Sequence, residues 1–489
     1  MTTLSPGRSA AYLPFQRRDV RVALSNLVED LGRTFGAMAG AEPVVRLGVT
    51  GLSRAGKTVF ITALVANLLE RARMTGLRAE AAGRIRAVYL QPQPDDTIPR
   101  FDYEAHLTAL TGPGSGAAPH WPESTRAVSE LRLSFRLDPG WLLGTVRDAR
   151  ILHLDIVDYP GEWLLDLGLM ELTYEEWSRD TLARITPRTE AEEYLRHLTA
   201  TDPAARLDEA TATALAASFT AYLGAARRAG YSDCTPGRFL LPGDLAGSPA
   251  LTFAPLVLST TPGRGSLSRE FARRYEAYKA KVIKPFFQNH FARIDRQIVL
   301  VDALSALHSG PRAVEDLRQA MAATLSAFRP GQTGWLAGLL GQRRVERILF
   351  AATKADLLHH TQHGRLTAIL AALMRQAKER ADYAGAETAA MAIAALRTTV
   401  EETVRHNGAM LDCVRGKLED GRVAAFHAGD LPDNPAAILT PAREGAHQWL
   451  DGDYAAMRFL PLSEGLRPGQ GLPHIRLDKA LDFLIGDLL

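Results

Sequence analysis

Along this 489-residue chain, short extended apolar runs alternate with longer runs of helical spacing. Val44-Val45-Arg46-Leu47-Gly48-Val49 reads as a buried strand, and Val59-Phe60-Ile61-Thr62-Ala63-Leu64-Val65-Ala66-Asn67-Leu68-Leu69 as an apolar helix. Further strands are predicted around Val128, Leu131, Leu133 and Phe135, over 149–157, over 296–304, over 345–352 and over 388–397. Strands separated by helices point to an α/β core with a mostly parallel sheet. Between 166 and 295 the period is helical instead, over 174–185, 190–197, 207–230 and 268–294, with a Pro- and Gly-rich break at 232–255. That stretch is expected to be a large helical insertion between two strands of the sheet.

The same pattern divides the chain. Residues 1–42 hold one helix, on which Val22, Leu24, Leu27, Val28, Leu31 and Phe35 recur at helical spacing, expected to pack on the core. Residues 43–165 and 296–404 are the two parts of the core, 166–295 is the insertion, and 405–489 is a C-terminal extension. The extension is expected to carry a hairpin turning at Glu419-Asp420-Gly421 and to end in an amphipathic helix over 477–489. Residues 80–122 are rich in Pro, Gly and Asp and read as a long loop.

Chemistry enters between the first strand and the first helix. Gly51-Leu52-Ser53-Arg54-Ala55-Gly56-Lys57-Thr58 fits G-x-x-x-x-G-K-[ST], the phosphate-binding loop, in the required strand–loop–helix order. Gly51, Ser53, Arg54, Ala55, Gly56 and Val59 are candidates to bind phosphate through a backbone that turns its N–H groups inward. Lys57 is expected to reach the β- and γ-phosphates and Thr58 to ligate Mg²⁺.

Further on, an apolar strand delivers Asp158 to its C-terminal end, and Asp158-Tyr159-Pro160-Gly161 fits D-x-x-G. Asp158 is a candidate to hold the metal through water, and the Gly161 amide to meet the γ-phosphate. Thr125, just before a strand, is the candidate switch threonine for metal and γ-phosphate, with Thr97 and Ser124 competing for that role. Glu162 stands where many GTPases carry a water-orienting glutamine. A carboxylate accepts from water but cannot also donate to a phosphoryl oxygen, so either slow hydrolysis or a plain solvated acid is compatible with it. Arg54 and Arg126 are the nearest arginines in sequence.

Thr353-Lys354-Ala355-Asp356 follows another strand and fits [NT]-K-x-D, which reads guanine. Asp356 would accept from guanine N1 and N2, donors that adenine lacks, and the Lys354 stem would cover the ring. Ala395, Leu396 and Arg397 are candidates to contact the base through their backbone. His197 and His290 have no partner at metal-ligand spacing and are expected to pack or lie at the surface.

These stretches together resemble the YcjX-like family of bacterial P-loop proteins. The resemblance rests on Gly-Leu-Ser-Arg-Ala-Gly-Lys-Thr-Val-Phe-Ile-Thr from 51, Trp-Pro-x-x-Thr at 121–125, Asp-Tyr-Pro-Gly-Glu-Trp-Leu-Leu-Asp-Leu at 158–167 and Leu-Phe-Ala-Ala-Thr-Lys-Ala-Asp at 349–356. It implies a P-loop, GTPase-like core and a cytoplasmic protein that binds GTP or GDP with Mg²⁺, hydrolyses GTP as a switch and is linked to stress responses.

Composition then limits the alternatives. Lys plus Arg is 57 and Asp plus Glu 55, a net charge of +2, so no global field directs the chain to nucleic acid. Two cysteines, Cys234 and Cys413, in neither a C-x-x-C pair nor a Cys/His cluster, argue against a disulfide framework and a structural zinc. No long apolar run predicts a spanning helix. A cluster at Trp335, Leu336, Leu339 and Leu340 beside Arg343 and Arg344 leaves open a nucleotide-gated module that touches a protein partner or, peripherally, the inner membrane.

Overall fold

A computed structural model of the chain describes residues 42–52, 54–112, 118–123, 127–138, 150–231, 233–257, 263–326, 345–383, 385–449, 454–461 and 469–489. Its main sheet comprises β1 (Val44–Gly51), β2 (Ile85–Gln91), β3 (Ser129–Leu137), β4 (Arg150–Asp158), β5 (Arg296–Val301), β6 (Arg347–Ala352) and β7 (Glu387–Ala392). They lie in the order β2-β3-β4-β1-β5-β6-β7. From β4 to β7 all pairings are parallel, whereas β2 and β3 add an antiparallel edge.

The central strands alternate between two cores, as a period of two requires. Leu47, Val49, Ile298, Leu300, Leu349 and Ala351 face the helices Lys57–Glu70 and Leu477–Ile485. Val299, Val301, Ile348, Phe350 and Ala352 face the opposite layer, which contains the helices Pro311–Ser326 and His363–Leu373. The fold is thus an α/β P-loop core with a largely parallel sheet.

A third core lies in the stretch after β4. Trp177, Phe219, Phe253, Tyr275 and Tyr278 are buried together, with the Trp177 and Tyr275 rings stacked at 5.2 Å. The helices that carry them have sequence-encoded starts. A Thr173/Glu176 capping box opens Tyr174–Ile185, Asp208 caps Glu209–Arg228 and Ser266 caps Leu267–Tyr278. Tyr159, Trp163 and Leu164, just past β4, are buried in this same core.

Two differences from the sequence reading stand out here. The stretch 80–122 is no continuous loop: it contains β2 and the helix Tyr103–Thr111, which Asp102 caps through Ala105 N at 3.2 Å. β2 escaped the pattern because it is an edge strand whose residues after Ile85 are half-buried or exposed, so no apolar alternation marks it. The strand expected over 388–397 ends at Ala392, where the chain turns to pair Ala394 with Ile475.

In the extension, the expected Asp-Gly hairpin is formed by β9 (Ala409–Lys417) and β10 (Val423–Phe426). A further strand, β8 (Val400–His406), pairs with β9 through Asn407 and Gly408, both at positive φ, so position 404/405 falls inside a strand. The N-terminal helix and the Trp335, Leu336, Leu339 and Leu340 cluster lie outside the described residues.

Candidate functional site

β1 lies between β4 and β5, so whatever leaves its C-terminal end sits at the middle of the sheet's carboxyl edge. There Arg54 and Gly56 take positive φ, 64° and 89°, and Gly56 caps the helix Lys57–Glu70. This curls the loop, with Ala55 N donating to Leu52 O at 3.1 Å. Gly51 has a separate requirement, since a Cβ there would meet the Leu300 carbonyl oxygen at 2.6 Å. Lys57 and Thr58 are buried, Val59 is half-buried, and Ser53 lies outside the described residues. The Lys57 ammonium donates to Gly51 O at 2.6 Å, while Thr58 Oγ1 donates to Glu123 O at 3.4 Å. The segment that leads to Thr125 therefore reaches the Thr58 hydroxyl, although Thr125, Ser124 and Arg126 are outside the described residues.

Asp158 pairs in register with Val49, which brings a buried carboxylate beside the strand that feeds the loop. Gly161 comes closer still: a Cβ on it would stand 2.3 Å from Gly51 O and 3.1 Å from Leu52 N. Only glycine allows this approach of the D-x-x-G turn to the phosphate loop. Tyr159, fully buried, steadies the turn by donating to Gln297 Oε1 at 2.7 Å.

Glu162 points into the insertion. It is buried, and Arg227 Nη2 from the helix Glu209–Arg228 stands 3.3 Å from its Oε1. Gly237 rests on its backbone, for a Cβ there would lie 2.3 Å from Glu162 O. Asp166 accepts from Gly237 N at 2.7 Å and from the Tyr278 hydroxyl, while the Arg238 guanidinium stacks 3.1 Å over the Trp163 ring. Burial raises the Asp166 carboxyl to about 6 despite the opposing bonds from Tyr278 and Gly237. Of the two readings of Glu162, the solvated acid is set aside.

On the other side of β1, Lys354 takes φ 61° and its ammonium pairs with Asp302, at the end of β5. Asp356 is buried; its Oδ2 accepts from Thr398 N at 2.9 Å and Thr398 Oγ1 at 2.7 Å. Burial holds its carboxyl above the ordinary range, against these bonds. Thr353 N bonds Val301 O at 3.0 Å, and Ala355 N bonds Ile393 O at 3.0 Å. Ala395, Leu396 and Arg397 form the neighbouring turn, with Arg397 N donating to Pro473 O at 2.7 Å. The expected base-reading segments are thus joined to each other through Thr398. His197 bonds Ser218 at the surface, and burial pushes the imidazole of His290 down to about 4 beside Phe286.

Sequence reasoning missed Arg227, Gly237, Asp302 and Thr398. Asp302 and Thr398 had one available signal, being polar residues near the C-terminal end of one predicted strand and just past another, where α/β folds place ligands. Arg227 and Gly237 had none, because only the folding of the insertion brings them to the turn.

Two relatives align with this chain along nearly their whole length, and both carry the name Ras-like GTPase YcjX. The protein of Escherichia coli strain K12 is 38% identical over 465 residues, 92% of this chain and 97% of its own. That of Shewanella oneidensis is 35% identical over 475 residues, 92% of this chain and 95% of its own. Residues 45–489 match the YcjX-like family, DUF463, and the chain belongs to that family.

Proposed function

We propose that this chain binds GTP with Mg²⁺, hydrolyses it to GDP and phosphate, and uses the two nucleotide states as a switch. The observation that carries this reading is the seating of Gly161 on Gly51, from which the Gly161 amide would sense a γ-phosphate held by the loop. Lys57 would exchange its bond to Gly51 O for charge-assisted bonds to phosphate oxygens.

Thr58 and Asp158 offer a hydroxyl and a carboxylate, hard oxygen donors that are both buried, so the residues present fit Mg²⁺. Thr125 would complete the set when GTP orders its segment. Bound Mg²⁺ neutralises charge on the β- and γ-phosphates. Glu162 would accept from the attacking water, with Arg227 fixing its orientation.

Guanine falls to Asp356 and Lys354, whose partners Thr398 and Asp302 hold them in place. Thr353, Ala395, Leu396 and Arg397 would border the base. A cytoplasmic setting and a task in stress responses follow the family resemblance. Among the described residues no helix is long and apolar enough to cross a membrane.

The test is displacement of a fluorescent GDP analogue, combined with a phosphate-release assay. GTP is expected to displace the probe at concentrations about 100-fold below ATP or lower, because adenine offers the Asp356 carboxylate none of guanine's N1 and N2 donors. Equal displacement by the two would refute guanine reading, and the absence of Mg²⁺-dependent phosphate release would refute hydrolysis.

A further inference from the structure

His359 and His360 lie just beyond Asp356, and Glu401 is the second residue of β8, two positions past Thr399. Folding brings the three together, with one ligand-capable atom from each inside a 4.8 Å circle. Glu401 divides its two oxygens. Oε1 accepts from His360 N at 3.1 Å and faces Arg397 Nη2 at 3.8 Å. Oε2 faces both imidazoles, His360 Nδ1 at 2.8 Å and His359 Nε2 at 3.8 Å. The outer nitrogen of His359, Nδ1, faces Thr361 Oγ1 at 3.0 Å and the Asp412 carboxylate at 3.5 Å.

We propose that His359 Nε2, His360 Nδ1 and Glu401 Oε2 bind a divalent transition-metal ion of the zinc class, which ties the start of the helical layer to β8. Two imidazoles and one carboxylate are a known three-ligand zinc set with a fourth position open. His360 is 62% exposed, so that position opens to solvent. Tetrahedral bonds of about 2.0–2.1 Å separate neighbouring ligand atoms by about 3.3 Å. The distances of 2.8 and 3.8 Å bracket that value, and small side-chain rotations centre an ion.

The outer contacts of His359 are those expected of a metal-bound imidazole. A carboxylate and a hydroxyl on Nδ1 fix the tautomer that turns the Nε2 lone pair inward. One dication satisfies an imidazole lone pair from each ring and the carboxylate together. Imidazole nitrogens also set the site apart from the oxygen-only environment suited to Mg²⁺.

Full-length protein, stripped with a chelator, would be titrated with zinc sulfate by calorimetry and with cobalt(II) for visible d–d absorption. One saturable equivalent is expected, together with a rise in Tm. Both should be lost in the His359→Asn/His360→Asn double variant, whose folding is checked by its metal-free melt. Glu401→Gln is expected to weaken binding by about tenfold or more. Absence of a saturable equivalent, or equal affinity in the double variant, overturns the site. GDP-analogue binding in the same preparations reports on the guanine reading separately, so either idea can fail without the other.

Discussion

A methyl group at position 161 would collide with the Gly51 carbonyl, so Gly161→Ala has to push the turn off the phosphate loop. A displacement near 1 Å in a reacting assembly costs about 100-fold. The expected result is a fall of that order in kcat for phosphate release, and an unchanged kcat would remove Gly161 from the site. At this scale the motif residues were legible because each motif lies in one contiguous stretch beside a strand. Their partners were not. Thr398 is 42 residues from Asp356 and Asp302 is 52 from Lys354, and no local pattern records which distant polar group closes a bond.

Among elements, the long helices after β4 were the easiest to read, since capping residues and helical spacing agree in Tyr174–Ile185, Glu209–Arg228 and Leu267–Tyr278. What could not be read was their hold on the turn after β4. Arg227 and Glu162 form a mostly buried pair, so Arg227→Met strands a carboxylate. It should cost about 1–3 kcal/mol of stability and lower kcat about tenfold or more. Adding Glu162→Met, which removes the stranded carboxylate without supplying a water-orienting group, should restore stability in chemical denaturation without restoring turnover. Recovery of both would make the pair purely structural.

Asp166 gives the same junction a pH signature. Its carboxyl is raised by burial from 3.8 to about 6, and Tyr278, Gly237 N and the Arg238 side face it. The folded protein therefore keeps a proton that the unfolded chain releases between those values. Stabilisation present below the lower value, on the order of 3 kcal/mol, is lost as pH rises through about 6. Asp166→Asn cannot ionise and also gives up one bond, a constant offset. The Tm of the parent minus that of the variant should fall between pH 4.5 and 7, and a flat difference would refute the assignment.

At the scale of the molecule, the parallel strands were legible because burial on both faces makes them continuously apolar. β2 and β8 were obscure for the converse reason, their residues being largely half-buried or exposed. Closure of the core by the chain's end was legible only as an amphipathic helix. The contacts make it specific: Arg296 and Arg347 both bind Asp487, and Gly76 N donates to Asp478 at 2.7 Å.

One consequence follows from β1 lying between β4 and β5. The chain leaves the sheet after Asp158, opposite Val49, and returns at Arg296, opposite Leu47. Two strand spacings of about 4.8 Å and two residues of rise separate those points by only about 12 Å. Geometrically, residues 159–295 are thus a cassette held by both ends on a single strand, and a far shorter crossover would complete the sheet. Excision would nevertheless strip the shared core from Tyr159, Trp163 and Leu164, which found the D-x-x-G turn. The cassette is detachable as topology but is the masonry under the D-x-x-G turn, so anything that grips its outer helices holds a lever on the candidate site.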